Sequence, residues 1–122
     1  MKPGVFTQMY VQLVFAVANK LALLRQDFRK DVFKYISGII KNKKCKSIIV
    51  NGVLDHVHIL FGLHHTMSVS EIARDVKRSS SIFIRENKYT PFKFAWQEGY
   101  GAFTYSRSQI ENVYKYIENQ EN

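Results

Sequence analysis

The alternation of apolar and polar side chains predicts four strands. Residues 7–18 alternate along their length, which is typical of a half-buried strand long enough to be central. Residues 47–54 and 57–63 are short apolar runs that indicate two more strands, and residues 101–105 follow an aromatic-rich loop as a fourth. The first strand directs Met9, Val11, Leu13, Phe15 and Val17 to one face, and Tyr10, Gln12 and Val14 to the other.

Three other segments have the period of a helix. Apolar residues recur three or four positions apart over residues 26–42 and 67–86, and again from residue 106 to the end of the chain. Ser68 with Glu71, and Ser106 with Gln109, have the spacing of capping boxes at the starts of the second and third helices. The order β-α-β-β-α-β-α predicts an α+β fold: a ferredoxin-like, RRM-like antiparallel sheet plus a C-terminal helix, in one domain spanning residues 1–122.

The net charge of the chain makes a nucleic acid a candidate partner. The chain of 122 residues has a formal charge of +8. Ten basic and two acidic residues lie within positions 1–50, so the first half carries the whole surplus. Lysines cluster at the end of the first helix, and arginines share the polar face of the second helix. Such clusters fit a nucleic-acid backbone, but they also fit a solvated surface, and the sequence leaves both interpretations open.

Cysteine content and hydropathy indicate the compartment. Cys45 is the single cysteine, so an intrachain disulfide and a cysteine-based structural zinc site are both excluded. No apolar run approaches the ~20 residues that span a bilayer, and the N-terminal segment lacks the pattern of a signal peptide. We therefore expect a cytoplasmic protein with no membrane partner.

The third predicted strand carries two histidines. His56 and His58 are two residues apart, so their imidazoles project from the same face of the strand while Val57 and Ile59 enter the core. Two imidazoles presented in this way are able to chelate one divalent metal ion. Surface histidines, or core histidines with satisfied nitrogens, explain the pair equally well, so the motif alone does not decide.

The last predicted helix supplies a tyrosine and a glutamine on one flank. Tyr116 and Gln120 are four residues apart, so they are able to address the same point in space. Tyr114 is expected to face the core with Ile117. A tyrosine and a glutamine at this spacing are a weak signal unless the histidines lie nearby.

The motifs DHVHIL, WQEGYGAF and YIENQ occur in this order along the chain. Their order and approximate spacing resemble the one-tyrosine HUH transposases of bacterial insertion sequences, the insertion-sequence-200-like group that includes the REP-associated tyrosine transposases. The resemblance extends over nearly the whole chain, from the YVQLVFAV strand to Gln120. It implies that His56, His58 and Gln120 bind Mg²⁺ or Mn²⁺. It also implies that Tyr116 attacks single-stranded DNA and forms a covalent 5′-phosphotyrosine.

The resemblance extends to partners. It implies single-stranded DNA with hairpin ends as the substrate, and a homodimer in which the tyrosine helix of one subunit completes the site of the other. By analogy, six basic residues are assigned to DNA backbone contact: Lys41, Lys43, Lys44, Arg74, Lys77 and Arg78. Trp96, Tyr100 and Phe103 are candidates for base stacking or for structural support.

Two other classes of function compete with the transposase. A domesticated or inactive relative acting as a non-catalytic nucleic-acid-binding module would use the same scaffold, although His56 and His58 stand where RRM domains carry aromatic residues. A metal-free phosphoesterase of the histidine-triad type would need a third histidine at position 60, which is Leu60.

Overall fold

The computed structural model describes residues 9–120. Four strands form one sheet, and three α-helices and a short 3₁₀ turn complete the fold. In chain order the elements are β1 (Met9–Ala16), α1 (Arg29–Asn42), β2 (Lys46–Gly52), β3 (His56–Leu63), α2 (Val69–Glu86), β4 (Gly101–Tyr105), the 3₁₀ turn Arg107–Gln109 and α3 (Ile110–Glu118). The predicted order of elements is confirmed.

The sheet is antiparallel throughout, in the order β2-β3-β1-β4. The two central strands are joined by a long ladder in which Leu13 faces Ile59 and Val14 faces His58. This arrangement confirms the predicted α+β, ferredoxin-like sheet with an added C-terminal helix.

The two faces of the sheet have different roles. One face packs on α1 and α2 and forms the main apolar core, with fully buried residues from β1, β3 and both helices: Val11, Leu13, Phe15, Val57, Ile59, Phe61, Val32, Ile36, Ile72 and Val76. The opposite face carries Gln12, Val14, His56 and His58, because side chains alternate along each strand. Helix α3 lies on this second face beside β2, where Ile117 is fully buried.

Several boundaries differ from the predicted ones. Helix α1 begins at Arg29 and not at residue 26, because the amides of Phe28 and Arg29 bond to the carbonyl of Arg25 in a preceding turn. The predicted strand 47–54 ends at Gly52, where the chain turns into β3 and Val53 bonds back to His56. Residues 7 and 8 of the first predicted strand, and the last two residues of the predicted C-terminal helix, lie outside the described residues.

Both predicted capping boxes lie at helix starts. The Ser68 hydroxyl accepts the amide of Glu71 at the start of α2. Ser106 and Gln109 form the complete reciprocal pair, but they cap the 3₁₀ turn that leads into α3. In the described range 9–120, no helix is long and apolar enough to cross a membrane.

Gly52 determines how closely the β2–β3 turn approaches β3. A Cβ atom at Gly52 would overlap the carbonyl oxygen of His56 and would lie 2.8 Å from the Cα of Val57. Both obstructing atoms belong to the backbone, so no side-chain rotation relieves the overlap. Gly38, in the middle of α1, has no atom within 4 Å of its hypothetical Cβ.

We expect Gly52→Ala to destabilise the protein by about 1–3 kcal/mol, because the turn that leads into His56 has to move. Gly38→Ala is the matched control, and it should stabilise α1 by about 0.5–1 kcal/mol, because alanine loses less backbone entropy in a helix. Chemical denaturation of the two variants measures both effects. Equal stability of the two variants would contradict the close approach at Gly52.

Candidate active site

The two histidines of β3 lie side by side on the face of the sheet opposite α1 and α2. The ring centroids of His56 and His58 are 5.1 Å apart. His56 is opposite Ala16 and His58 is opposite Val14 on β1, both of which have small or medium side chains. The two-residue spacing therefore produces the pair of neighbouring imidazoles that the sequence predicts.

Each imidazole has one nitrogen engaged by an oxygen atom. Nδ1 of His56 is 2.8 Å from the carboxylate of Asp55, and Nδ1 of His58 is 2.6 Å from Oε1 of Gln12. The amide nitrogen of Gln12 donates to the hydroxyl of Tyr105 at 2.7 Å, so its oxygen is left to accept the proton of His58 Nδ1. These contacts assign the Nδ1–H tautomer to His58 and leave the lone pair of its Nε2 atom available, as metal-ligating histidines require.

His58 is the less accessible of the two histidines. Its side chain is 7% exposed, and its Nε2 atom is buried without a hydrogen-bond partner among the described residues. Burial lowers the pKa of His58 below its ordinary value, and the neighbouring His56 lowers the pKa further, whereas the approach of the Gln120 side chain raises it. The result is a neutral imidazole with a free lone pair, which is the form that binds a metal ion.

Helix α3 brings the tyrosine and the glutamine to this pair. The ring of Tyr116 lies 6.0 Å from that of His58, nearly perpendicular to it, and the tyrosine side chain is 61% exposed. The amide nitrogen of Gln120 donates to the carbonyl of Tyr116 at 3.1 Å. Since the nitrogen is engaged in this way, the amide oxygen of Gln120 is the atom left for a ligand role.

The predicted phase of α3 is correct for Tyr116 and wrong for Tyr114. Tyr114 is 37% exposed and lines a separate groove with Tyr10 and Lys46, because Ile117 is the buried residue of this short helix. Tyr114 does not line the cavity that His58 and Tyr116 border.

Asn51 is a residue of the site that the sequence analysis did not single out. It lies on β2 opposite His58, and its amide nitrogen donates to the carbonyl oxygens of Ile117 at 2.9 Å and Glu118 at 3.2 Å. Both carbonyls belong to the last turn of α3, and that of Ile117 also accepts the backbone amide of Gln120. Asn51 therefore ties the end of the tyrosine helix to the strand beside the histidines. One sequence signal could have found Asn51: the alternation of side chains along β2 predicts which face of the sheet it occupies.

A cavity of about 640 Å³ opens beside the histidine and the tyrosine. The side chains of Gln12, His58 and Tyr116 border it on one side, and residues 97–101 border it on the other. Tyr100 and Phe103, which were candidates for stacking, both line the cavity. Trp96 does not: it is 9% exposed and its indole nitrogen donates to the hydroxyl of Ser80 at 3.0 Å, so it supports the core.

The six predicted DNA-contacting residues divide into two groups. Lys43, Arg74 and Lys77 have partners within the chain: Lys43 and Arg74 pair with Asp75 at 2.5 and 3.4 Å, and Lys77 donates to the carbonyl of Gln97 at 2.7 Å. The other three, Lys41, Lys44 and Arg78, are exposed, and the Arg74 side chain is exposed as well despite its contact with Asp75.

Residues that are able to hold a metal ion are few. Within residues 9–120, no three histidine, cysteine, aspartate or glutamate side chains cluster closely enough to bind one ion. The histidine pair therefore needs a ligand of another type, and the amide oxygen of Gln120 is next to His58. The orphaned Nε2 of His58 and this oxygen donor fit a divalent cation, and mixed imidazole and amide ligands do not by themselves select which one.

Two solved structures share the fold of this chain, a ferredoxin-like sheet with an added C-terminal helix. A candidate transposase from Deinococcus radiodurans R1 superposes with a TM-score of 0.74 at 18% identity, and the match covers 98% of each chain. A REP-associated tyrosine transposase, solved with a REP hairpin bound, superposes with a TM-score of 0.65 at 11% identity over 96% of this chain and 70% of that one.

The family model for IS200-like transposases matches residues 5–120. The chain therefore belongs to the IS200-like transposase family. Comparison with curated proteins gives no match.

The contact between Asn51 and α3 is tested by Asn51→Asp. The substitution keeps the shape of the side chain but removes both N–H donors and places a negative charge at the negative end of the helix. We expect a loss of about 1–3 kcal/mol in the free energy of unfolding, together with faster amide exchange at the end of α3. Asn119→Asp, at an exposed position past the end of the same helix, is the control. Equal exchange rates in both variants would show that Asn51 does not hold the helix.

The depressed pKa of His58 predicts how stability depends on pH. The unfolded chain has its His58 pKa near 6.5 and the folded chain has a lower one, so below that pH the unfolded state binds more protons. The stabilising contribution of neutral His58 is complete above pH 6.5 and is lost as the pH falls towards the folded pKa. Urea denaturation with a chelator present should show this loss in the wild type and a shallower pH dependence in His58→Gln. Identical pH profiles would contradict the assignment, because the other histidines are present in both proteins.

Proposed function

We propose that the chain is a metal-dependent transposase that cleaves and rejoins single-stranded DNA, with Tyr116 as the nucleophile. The observation that carries the proposal is the approach of Tyr116 to His58, whose buried Nε2 has no partner among the described residues. A nucleophile next to an open ligand position is what phosphodiester cleavage requires. Membership of the IS200-like transposase family supports the same reaction class.

The proposed ligands are Nε2 of His56, Nε2 of His58 and the amide oxygen of Gln120, with Mg²⁺ or Mn²⁺ as the ion. Asp55 and Gln12 hold the two rings by Nδ1, which keeps each Nε2 available. When bound, such an ion polarises the phosphate and stabilises the charge that develops on the leaving oxygen.

In the proposed step, the phenolic oxygen of Tyr116 forms a bond to phosphorus and loses its proton. The bond between phosphorus and the 3′-oxygen breaks, and the released 3′-oxygen takes up a proton. The product is a 5′-phosphotyrosine, and it conserves the energy of the phosphodiester for rejoining. The 61% exposure of Tyr116 supports this role, because a DNA strand is able to reach the hydroxyl.

The proposal includes DNA hairpin ends and a homodimer as partners. The REP-associated relative was solved with a REP hairpin, and the net charge of +8 favours binding of a nucleic acid. Of the six proposed DNA contacts, four have exposed side chains able to reach a backbone directly: Lys41, Lys44, Arg74 and Arg78. Tyr116 and His58 of one chain already lie together. A homodimer therefore does not require that the two subunits exchange their tyrosine helices.

The experiment is a denaturing gel of the protein incubated with labelled single-stranded DNA from the flanks of its own gene. We expect a covalent adduct with Mg²⁺ or Mn²⁺ and none with a chelator. Tyr116→Phe should abolish the adduct and leave DNA affinity nearly unchanged, because only the nucleophilic oxygen is removed. Tyr114→Phe is the matched control, two residues away on the same helix, and it should retain the adduct.

Two outcomes would contradict the proposal. Loss of the adduct in Tyr114→Phe, with retention in Tyr116→Phe, would show that the proposed nucleophile is wrong. DNA binding with no adduct under any metal condition, on DNA that contains the proper ends, would favour the non-catalytic binding module.

A further inference from the structure

The cavity beside Tyr116 has the size and composition of a ligand pocket. Its volume of about 640 Å³ falls within the ~300–1,000 Å³ of pockets that bind small molecules. Gln12, Val14 and Phe103 of the sheet form its floor, and the segment from Gln97 to Tyr100 forms a wall. Tyr116 stands at its border, so an occupant of the cavity would be next to the nucleophile.

Phe103 presents an uncovered aromatic ring in this floor. Its side chain is 51% exposed, and its ring leans over Gly101, where a Cβ atom would lie 3.4 Å from it. Tyr100 has less freedom, because its ring packs edge-on against Phe15 at 6.4 Å and lies 5.9 Å from the ammonium group of Lys77. Phe103 is therefore the ring with a free face for stacking.

Lys77 of α2 holds the wall of the cavity in place. The ammonium group of Lys77 donates to the carbonyl oxygens of both Gln97 and Gly99, and it also lies 5.3 Å from the ring of Phe15. One side chain thus holds two backbone groups of the loop. A pocket whose wall is held in this way is formed before its ligand arrives, which reduces the entropy cost of binding.

The charge of the lining favours an uncharged heterocycle over a phosphate. Among the described residues that line the cavity there is no lysine or arginine, and the single formal charge is the carboxylate of Glu98. An anion would be repelled there. A flat ring that carries N–H groups would stack on Phe103 and donate to Glu98.

We propose that this cavity receives one unstacked base of the single-stranded DNA, adjacent to the phosphate that Tyr116 attacks, with Phe103 as the stacking surface. The inference rests on the proposed function and adds to it a specificity pocket. The phosphate lies at the histidines, and the neighbouring base leaves the strand to enter the cavity.

The test is a thermodynamic cycle between protein and DNA. Binding is measured by fluorescence anisotropy with Mg²⁺ present, in a Tyr116→Phe protein so that no cleavage occurs. The probes are single-stranded oligonucleotides from the gene flanks, each with one abasic nucleotide at a different position. We expect one position next to the cleavage junction at which loss of the base weakens binding about 5- to 100-fold, as loss of one stacked base does.

Adding Phe103→Ala should weaken binding of the intact strand by a similar factor, and the abasic change at that position should then have almost no further effect. Phe103→Trp should retain the affinity, and Phe103→Leu replaces the alanine variant if that variant fails to fold. Phe92→Ala is the matched control, since Phe92 is 55% exposed on a loop outside the cavity lining.

Additive effects of Phe103→Ala and every abasic position would overturn the inference. If the wild type still forms the Tyr116 adduct, that result leaves the proposed function standing. Coupling at one position without any adduct would support the base pocket and contradict the proposed chemistry, so the two failures are distinguishable.

Discussion

The two-residue alternation of β3 is the constraint on which the rest of the site depends. Val57, Ile59 and Phe61 are fully buried against the helices, so the register of the strand is fixed by the core. His56 and His58 must then stand on the opposite face, because a shift by one residue would expose three large apolar side chains. The same burial that stabilises the fold therefore places both imidazoles on one face, and Asp55 and Gln12 then fix the orientation of the two rings.

The proposed nucleophile, Tyr116, is positioned by a weaker attachment. Helix α3 is nine residues long, buries Ile117 fully, and is held at its end by Asn51. A short helix is marginal without tertiary contacts, so these two contacts decide whether Tyr116 faces His58. The histidines thus lie on a central strand of the sheet, whereas Tyr116 lies on a short helix with one fully buried side chain, an arrangement that leaves the tyrosine freer to move than the histidines.

The sequence predicted the framework well because the framework obeys periodic patterns. The strands, the helices, the histidine pair and the side of α3 that carries Tyr116 all follow from periods of two or 3.6 residues. It failed where a contact joins elements that are distant along the chain. Gln12 contacts His58, which is 46 residues away along the chain, and Asn51 contacts Ile117, which is 66 residues away. No local sequence pattern around Gln12 or Asn51 indicates these partners. Lys77 is similar: its charge indicated a DNA contact, and only the fold shows that its ammonium group is engaged with backbone carbonyls.

The distribution of charge around the site explains how one small chain is able to handle a polyanion. The lining of the cavity holds no lysine or arginine within the described residues, and Lys43, Arg74 and Lys77 are engaged by other groups of the protein. In the proposed function, the positive surplus acts through exposed side chains away from the reacting atoms, where it attracts the DNA backbone without competing for the scissile phosphate. The neutral imidazole of His58 and the amide of Gln120 then leave the compensation of phosphate charge to the proposed cation. Such a site discriminates by the metal ion and by the shape of the strand, because no ammonium or guanidinium group lines the cavity within the described residues to hold an arbitrary phosphate there.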